Sequence, residues 1–208
     1  MNLKGKIVAI TAWVLMCGGA MMASAQSSLN AYSPYTFYGV GDIHQEGNAA
    51  IRAMGGAGIG FRNYLYVNTL NPASYSSVRS NSFLSNYDME GQNFYARTTD
   101  AKTSHNTFNI RDISMSFPLA KGLGTSISVS PYSSVGYKVR TTDEDPNNWA
   151  NIGRVQYGYE GTGDITEVKV SVGWAPWQKF SIGVAAKYYW GYIERKYQAE
   201  AKDVVTGS

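Results

Sequence analysis

From residue 81 onward, apolar and polar residues alternate with a period of two. The clearest run places Phe180, Ile182, Val184, Ala186, Tyr188, Trp190 and Tyr192 on one side and Ser181, Gly183, Ala185, Lys187, Tyr189 and Gly191 on the other. A helix, at about 3.6 residues per turn, cannot produce that order, whereas a strand does so by construction. The same alternation sets Phe83, Tyr87 and Met89 against Leu84, Asn86, Asp88 and Glu90, less regularly. It sets Ile113, Met115 and Phe117 against Ser114 and Ser116, and Val168, Val170, Val172 and Trp174 against Glu167, Lys169, Ser171 and Gly173. Ile127 and Val129 oppose Ser126, Ser128 and Ser130, and Val135, Tyr137 and Val139 read as resuming the face of Ile127. The pattern predicts five strands, at about 83–96, 107–118, 124–139, 165–175 and 179–197. Residues 26–80 lack it. They carry Ser33-Pro34-Tyr35, a glycine-rich run from Met54 to Phe61 and Asn71-Pro72-Ala73. This reads as a compact irregular segment held by tight turns, with a short helix available at Asn48–Met54.

Alternation alone fits a soluble sandwich as well as a membrane barrel. Strand length separates them: Phe180 to Tyr197 can run unbroken, while globular strands usually span about 5–6 residues. The connections alternate in length too. Those at Ala120–Leu123 and Pro176–Lys179 are tight, and those near Thr98–Asn106 and Arg140–Gly163 are long. Outer-membrane barrels show that asymmetry, with girdles of aromatic residues at both interfaces. Tyr188, Trp190 and Tyr192 supply a candidate interfacial group at one end of the last strand, with Phe180 at the other. The expected fold class is therefore all-β, a transmembrane antiparallel β-barrel of which about five strands are present. Bacterial barrels have even strand counts of eight or more, so residues 81–208 read as the first part of a longer wall. Asp88, Glu90, Lys169 and Lys187 lie opposite the apolar face and are expected to point inward, with Arg52 a candidate partner for Asp88.

Composition narrows the function. Of 208 residues, 16% are charged and 13% aromatic, with a formal net charge of +3. Disordered chains have few aromatics and high net charge, and so small a positive charge does not make a nucleic-acid-binding surface. Lys4 and Lys6 precede an apolar stretch from Ile7 to Met16, and Ala23-Ser24-Ala25 follows. This is the form of a secretory signal peptide, residues 1–25, with cleavage before Gln26. The single cysteine, Cys17, leaves with it, so the mature chain has no disulfide, thiolate nucleophile or cysteine metal site. His44 and His105 are far apart in sequence and do not suggest a zinc site. Asp143, Glu144 and Asp145 read as a solvated loop rather than a calcium site. The glycines at 56, 58 and 60 lack the strand–helix context of a nucleotide loop. No catalytic residue, metal or cofactor is expected, and the protein is not read as an enzyme.

The order of signal peptide, Arg52-Ala53-Met54-Gly55-Gly56-Ala57-Gly58, Asn71-Pro72-Ala73 and amphipathic strands resembles the FadL/TodX family of outer-membrane transporters over roughly residues 37–200. The closest likeness is to a divergent branch that includes relatives tied to protein secretion. The resemblance implies a barrel of roughly fourteen strands in the cell outer membrane. It makes residues 26–80 a hatch inside that barrel, with Asn71, Pro72 and Ala73 as the hatch tripeptide and Gly55, Gly56, Gly58 and Gly60 as hatch glycines. It also implies an inward-kinked third strand leaving a lateral gap, for which Pro131 and Gly136 are the candidates. Proline cannot donate to a strand ladder, which by itself predicts broken pairing near Pro131. The function implied is passive uptake of hydrophobic small molecules such as long-chain fatty acids, with that ligand and outer-membrane lipid as partners. The alternative is a structural or secretion-associated barrel that binds protein partners, through its external loops, without transporting lipid. Nucleic acid is not an expected partner.

Overall fold

The computed structural model describes residues 33–63, 65–97, 102–142, 154–177 and 179–202. The expected signal peptide and the acidic run at 143–145 lie outside them. Five long strands form one antiparallel sheet in chain order: β2 (Leu84–Arg97), β3 (Lys102–Ala120), β4 (Leu123–Thr142), β5 (Arg154–Trp177) and β6 (Phe180–Lys202). A two-residue strand, β1 (Asp42–Ile43), pairs with β4 off this path. The fold is all-β, and the sheet is open rather than closed into a barrel. A short helix, α1 (Ala49–Ala53), and two 3-10 helices, Pro34–Phe37 and Pro72–Ser77, precede the sheet. Asn48 caps α1 by accepting from Ile51 N at 3.0 Å.

Burial in this sheet is inverted with respect to a water-soluble domain. The covered positions are Ser114 and Ser116 on β3, Ser126 and Ser128 on β4, and Glu167, Lys169 and Ser171 on β5. The uncovered ones include Ile127, Val170, Val172, Trp174, Ile182 and Val184, the last 74% exposed. The helix Pro72–Ser77 lies against the serine-lined face, and β1 and the helix Pro34–Phe37 lie against β4. The apolar face has no cover among the described residues.

Two bulges break the alternation. In β3, Asp88 faces Asp112 and Met89 faces Ile110, so Arg111 is the extra residue. In β4, Pro131 faces Thr166 and Ser133 faces Ile165, so Tyr132 is the extra one. An inserted residue moves all later side chains to the opposite face. Val135 and Tyr137 accordingly do not resume the face of Ile127, as expected from sequence. They turn inward and are 2% and 4% exposed. Pairing of β4 with β5 continues on both sides of Pro131, whereas the β3–β4 ladder stops at Ile113–Val129. The strands also run further than the alternation suggested. β5 begins at Arg154, because its first half has glycine and polar residues on both faces and so carries no apolar periodicity.

Candidate functional site: the seat of the N-terminal segment

The segment before the sheet is knitted mainly by asparagine side chains around a very small apolar centre. Ile51 and Val67 are fully buried. Asn48 donates to Val67 O at 3.0 Å, and Asn68 donates to Gly58 O and Phe61 O, both at 2.7 Å. Asn71 accepts from Ala73 N at 3.0 Å and donates to Ile59 O at 2.6 Å. This fixes the start of the second 3-10 helix, where Pro72 needs no donor of its own. The hatch glycines play different parts. Gly55 and Gly56 take positive φ (69° and 85°) after α1. Gly58 packs on Ile51, and Gly60 has open space around its Cα.

Three contacts seat this segment on the sheet. The first is a row of glycines. Gly124 faces Gly173 and Gly173 faces Gly183 across β4, β5 and β6. A Cβ at Gly173 would overlap the Pro72 carbonyl oxygen, one at Gly183 the backbone of Pro72 and Ala73, and one at Gly124 the Tyr75 carbonyl oxygen. The helix Pro72–Ser77 therefore rests backbone to backbone on the strands, and Asn71-Pro72-Ala73 marks the point of landing. Tyr75 is buried beside Ser126 and Ser171, and burial pushes its hydroxyl pKa up to about 12.

The second contact is electrostatic. Lys169 and Lys187 stand directly opposite each other on β5 and β6, and Asp88 and Asp112 do so on β2 and β3. Like charges in that relation destabilise a sheet, and the N-terminal segment relieves both pairs. Glu46 accepts from Lys169 Nζ at 2.9 Å and from Lys187, which also lies 3.3 Å from Glu167. Burial alone would raise the Glu46 pKa, but its bonds to both lysines and their charge hold it below the ordinary value. Asp88 accepts from Ala49 N at 2.6 Å, at the donor-rich start of α1, while Asp112 accepts from Ser114. Arg52 does not pair with Asp88. It lies 4.0 Å from Glu90, which is held more closely by Arg111 at 2.7 Å, because α1 presents its backbone rather than its side chains to Asp88.

The third contact is strand addition. β1 pairs antiparallel with β4 through Asp42–Ser134 and Ile43–Ser133. His44 N donates to Tyr132 O at 2.8 Å and Ser33 N to Gly136 O at 3.0 Å. His44 Nε2 also bonds Ser134 Oγ at 2.8 Å. Burial first, and then the Arg111 charge, bring the His44 pKa down from 6.5 to about 4, so its ring is neutral at neutral pH. A polar cavity of about 10 Å³, room for one water, lies among His44, Glu46, Arg111, Asp112, Tyr132 and Glu167. Pro131 borders that cavity, and Gly136 is where the first 3-10 helix docks, its N–H donating to Thr36 Oγ1 at 3.2 Å. Tyr188, Trp190 and Tyr192 lie on the other, uncovered face of the sheet, with the first two rings 6.2 Å apart.

Sequence reasoning missed the glycine row and the role of Glu46. Glycine inside a strand signals close approach of another backbone, and Gly124, Gly173 and Gly183 gave that signal on the polar side. The opposition of like charges depends on register, which no single strand reveals. Among the described residues no cluster of three or more metal-ligating side chains occurs.

The chain matches the BamG family over residues 6–208. It belongs to that family. No curated protein and no solved structure matches it. The membership corrects two expectations: the chain is not a member of the FadL/TodX family, and uptake of fatty acids or other hydrophobic compounds is not its function. The shared layout misled because a glycine-rich segment ahead of amphipathic strands is a local pattern that does not specify a ligand.

Proposed function

We propose that this chain forms part of an outer-membrane β-barrel wall that works with the machinery assembling outer-membrane proteins, the Bam complex, and that it acts by binding protein partners. In this reading residues 33–80 plug the inside of the wall, and the glycine row and Glu46 hold the plug. The protein binds and positions; it performs no chemical step and needs no cofactor. The observation that carries the reading, beside the family, is the inverted burial of the sheet. Serines and charges are covered, while Val170, Val172, Ile182 and Val184 are not. In water such a face would cost roughly 25 cal/mol for every Å² left uncovered. Against lipid or a partner protein it is the stable arrangement, since strands can cross a bilayer only where their backbone groups are paired.

The test is made in cells carrying the protein with an affinity tag at its native level. It is expected to co-purify with the Bam complex from outer-membrane extracts. Its depletion should lower the amount of folded β-barrel proteins in the outer membrane while uptake of labelled long-chain fatty acid stays unchanged. Normal barrel levels after depletion, with no co-purification, would sink the proposal.

A further inference from the structure

The sheet contains a seam between two strands that are consecutive in the chain. β3 pairs with β2 from Lys102 to Ser116, and β4 pairs with β5 from Leu123 to Thr142. Between β3 and β4, pairing stops at Ile113–Val129. The cause lies at the two bulges, which follow immediately: Arg111 is the extra residue of β3 and Tyr132 that of β4, next to Pro131, which has no N–H to offer. Bulges bend the strand and increase its twist, so the strands part.

The two sides of the seam are treated differently. On the β4 side the edge is already taken, by β1 and by the backbone of Ser33 and His44. On the β3 side, from Asn106 to Ile110, no strand of the described residues lies along the edge that faces the seam. This edge borders apolar surface. Phe108 and Ile110 point outward and are exposed, as is Met89 beside them on β2. Thr107 and Asn109 alternate with them on the inner side. A backbone edge of that kind cannot be left bare in an apolar medium, where each unsatisfied N–H or C=O costs several kcal/mol. It also lies between paired strands, away from the outer edges of the sheet.

Resting on the assembly reading above, we propose that the β3 side of this seam accepts one extended strand of a partner outer-membrane β-barrel protein. The recognition is strand addition: main-chain hydrogen bonds to Asn106–Ile110 supply affinity, and alternate side chains supply selectivity. β1 shows the mode on the opposite side of the same seam. The matching strand is amphipathic, apolar where it continues the surface of Phe108 and Ile110 and polar where it meets Thr107 and Asn109. An unfolded or folding barrel protein offers such strands. A soluble, uniformly polar peptide does not.

Photo-crosslinking amino acids placed singly at Asn106, Phe108 and Ile110 in the full-length protein, in living cells, test this. Val172, on a strand paired along both edges, is the reference position. The expected result is adducts at the three seam positions in which the joined peptide belongs to an amphipathic strand of another β-barrel protein, with none at Val172. Adducts only to lipid, adducts joining two copies of this chain, equal labelling at Val172 or no adducts would each overturn the proposal. Co-purification with the Bam complex is measured in the same cells. If it persists while the seam stays silent, the seam alone is refuted. If the unsubstituted protein fails to co-purify, the assembly reading falls and takes the seam with it.

Discussion

The sheet has two halves with opposite sidedness. Toward the tight turns, outward positions are apolar and inward ones polar: Val168, Val170, Val172 and Trp174 against Glu167, Lys169 and Ser171 on β5. Toward the long connections, the outward positions of the same strand are Glu160, Thr162 and Asp164, and the inward ones Tyr159 and Gly161. There Phe37 from the first 3-10 helix meets the rings of Tyr137 at 5.1 Å and Tyr159 at 6.2 Å, and Tyr159 meets Tyr197 at 5.6 Å. The outer surface at that level carries the pairs Lys138–Glu160 and Glu194–Lys196. The β5–β6 register runs unbroken through the change, whereas β4 carries its bulge there. The turn-side half has an apolar exterior, and the loop-side half has a charged exterior and an aromatic interior of its own. Trp174, Trp177 and Phe180 stand at one limit of the apolar band, and Tyr188, Trp190 and Tyr192 at the other.

The largest effect expected is that of a charge placed on the turn-side exterior. Val172→Arg or Val184→Arg should cost about 2–4 kcal/mol if that band lies in lipid, whereas Thr162→Arg on the loop-side exterior should stay within about 0.5 kcal/mol. Urea titration of the protein folded into bilayers reads both, and equal costs would erase the distinction between the halves.

Next comes the interior of the turn-side half. Glu46→Gln removes the anion between Lys169 and Lys187 and should weaken the seat of the N-terminal segment by about 1.5–3 kcal/mol, the scale of a hydrogen bond to a charged group. Protease cleavage within residues 33–80 of the folded protein should rise. Glu160→Gln, which breaks an exposed pair in the loop-side half, should change stability by no more than about 1 kcal/mol.

Gly173→Val tests the glycine row. Its side chain would meet the Pro72 carbonyl, and overpacking of this kind costs about 1–3 kcal/mol. The same protease assay should show the segment released, while Gly60→Ala, with open space at its Cα, should leave it in place. A segment that stays protected in Gly173→Val would mean that the row is not where it is held.

Acid should loosen the seat more gradually. The His44 pKa is about 4 when docked and 6.5 when free, so the undocked segment takes up the proton first. Docking is at full strength above pH 6.5 and weakens as pH falls toward 4. Glu46, held below its ordinary 4.5, adds a loss that begins only below that value. Protease protection measured from pH 7 downward should follow this course. His44→Asn should flatten the upper part of the profile, and an unchanged profile would remove His44 from the seat.

Much of the sheet was legible in the residues. The apolar faces of β5 and β6 follow from a period of two that tertiary context had no need to override, and the turn at Lys121–Gly122 from glycine between two such runs. Helix α1 was legible through Asn48, whose side chain bonds the backbone three residues on. The face of Val135 and Tyr137 was not legible, because one extra residue at Tyr132 reverses it and periodicity cannot register a bulge. The function was misread because the features that suggested a transporter, a glycine-rich segment and amphipathic strands, are local patterns that do not specify a ligand.

By itself, the sequence determined that the chain forms long amphipathic strands preceded by an irregular asparagine- and glycine-rich segment, because side-chain alternation and turn chemistry are local. Only the tertiary structure decided that Lys169 faces Lys187, that Asp88 faces Asp112, that three glycines line up to receive the helix Pro72–Ser77, and that β3 and β4 part beside two bulges. Each of these depends on register between strands. Register is set by contacts between residues far apart in the chain, which no local pattern contains.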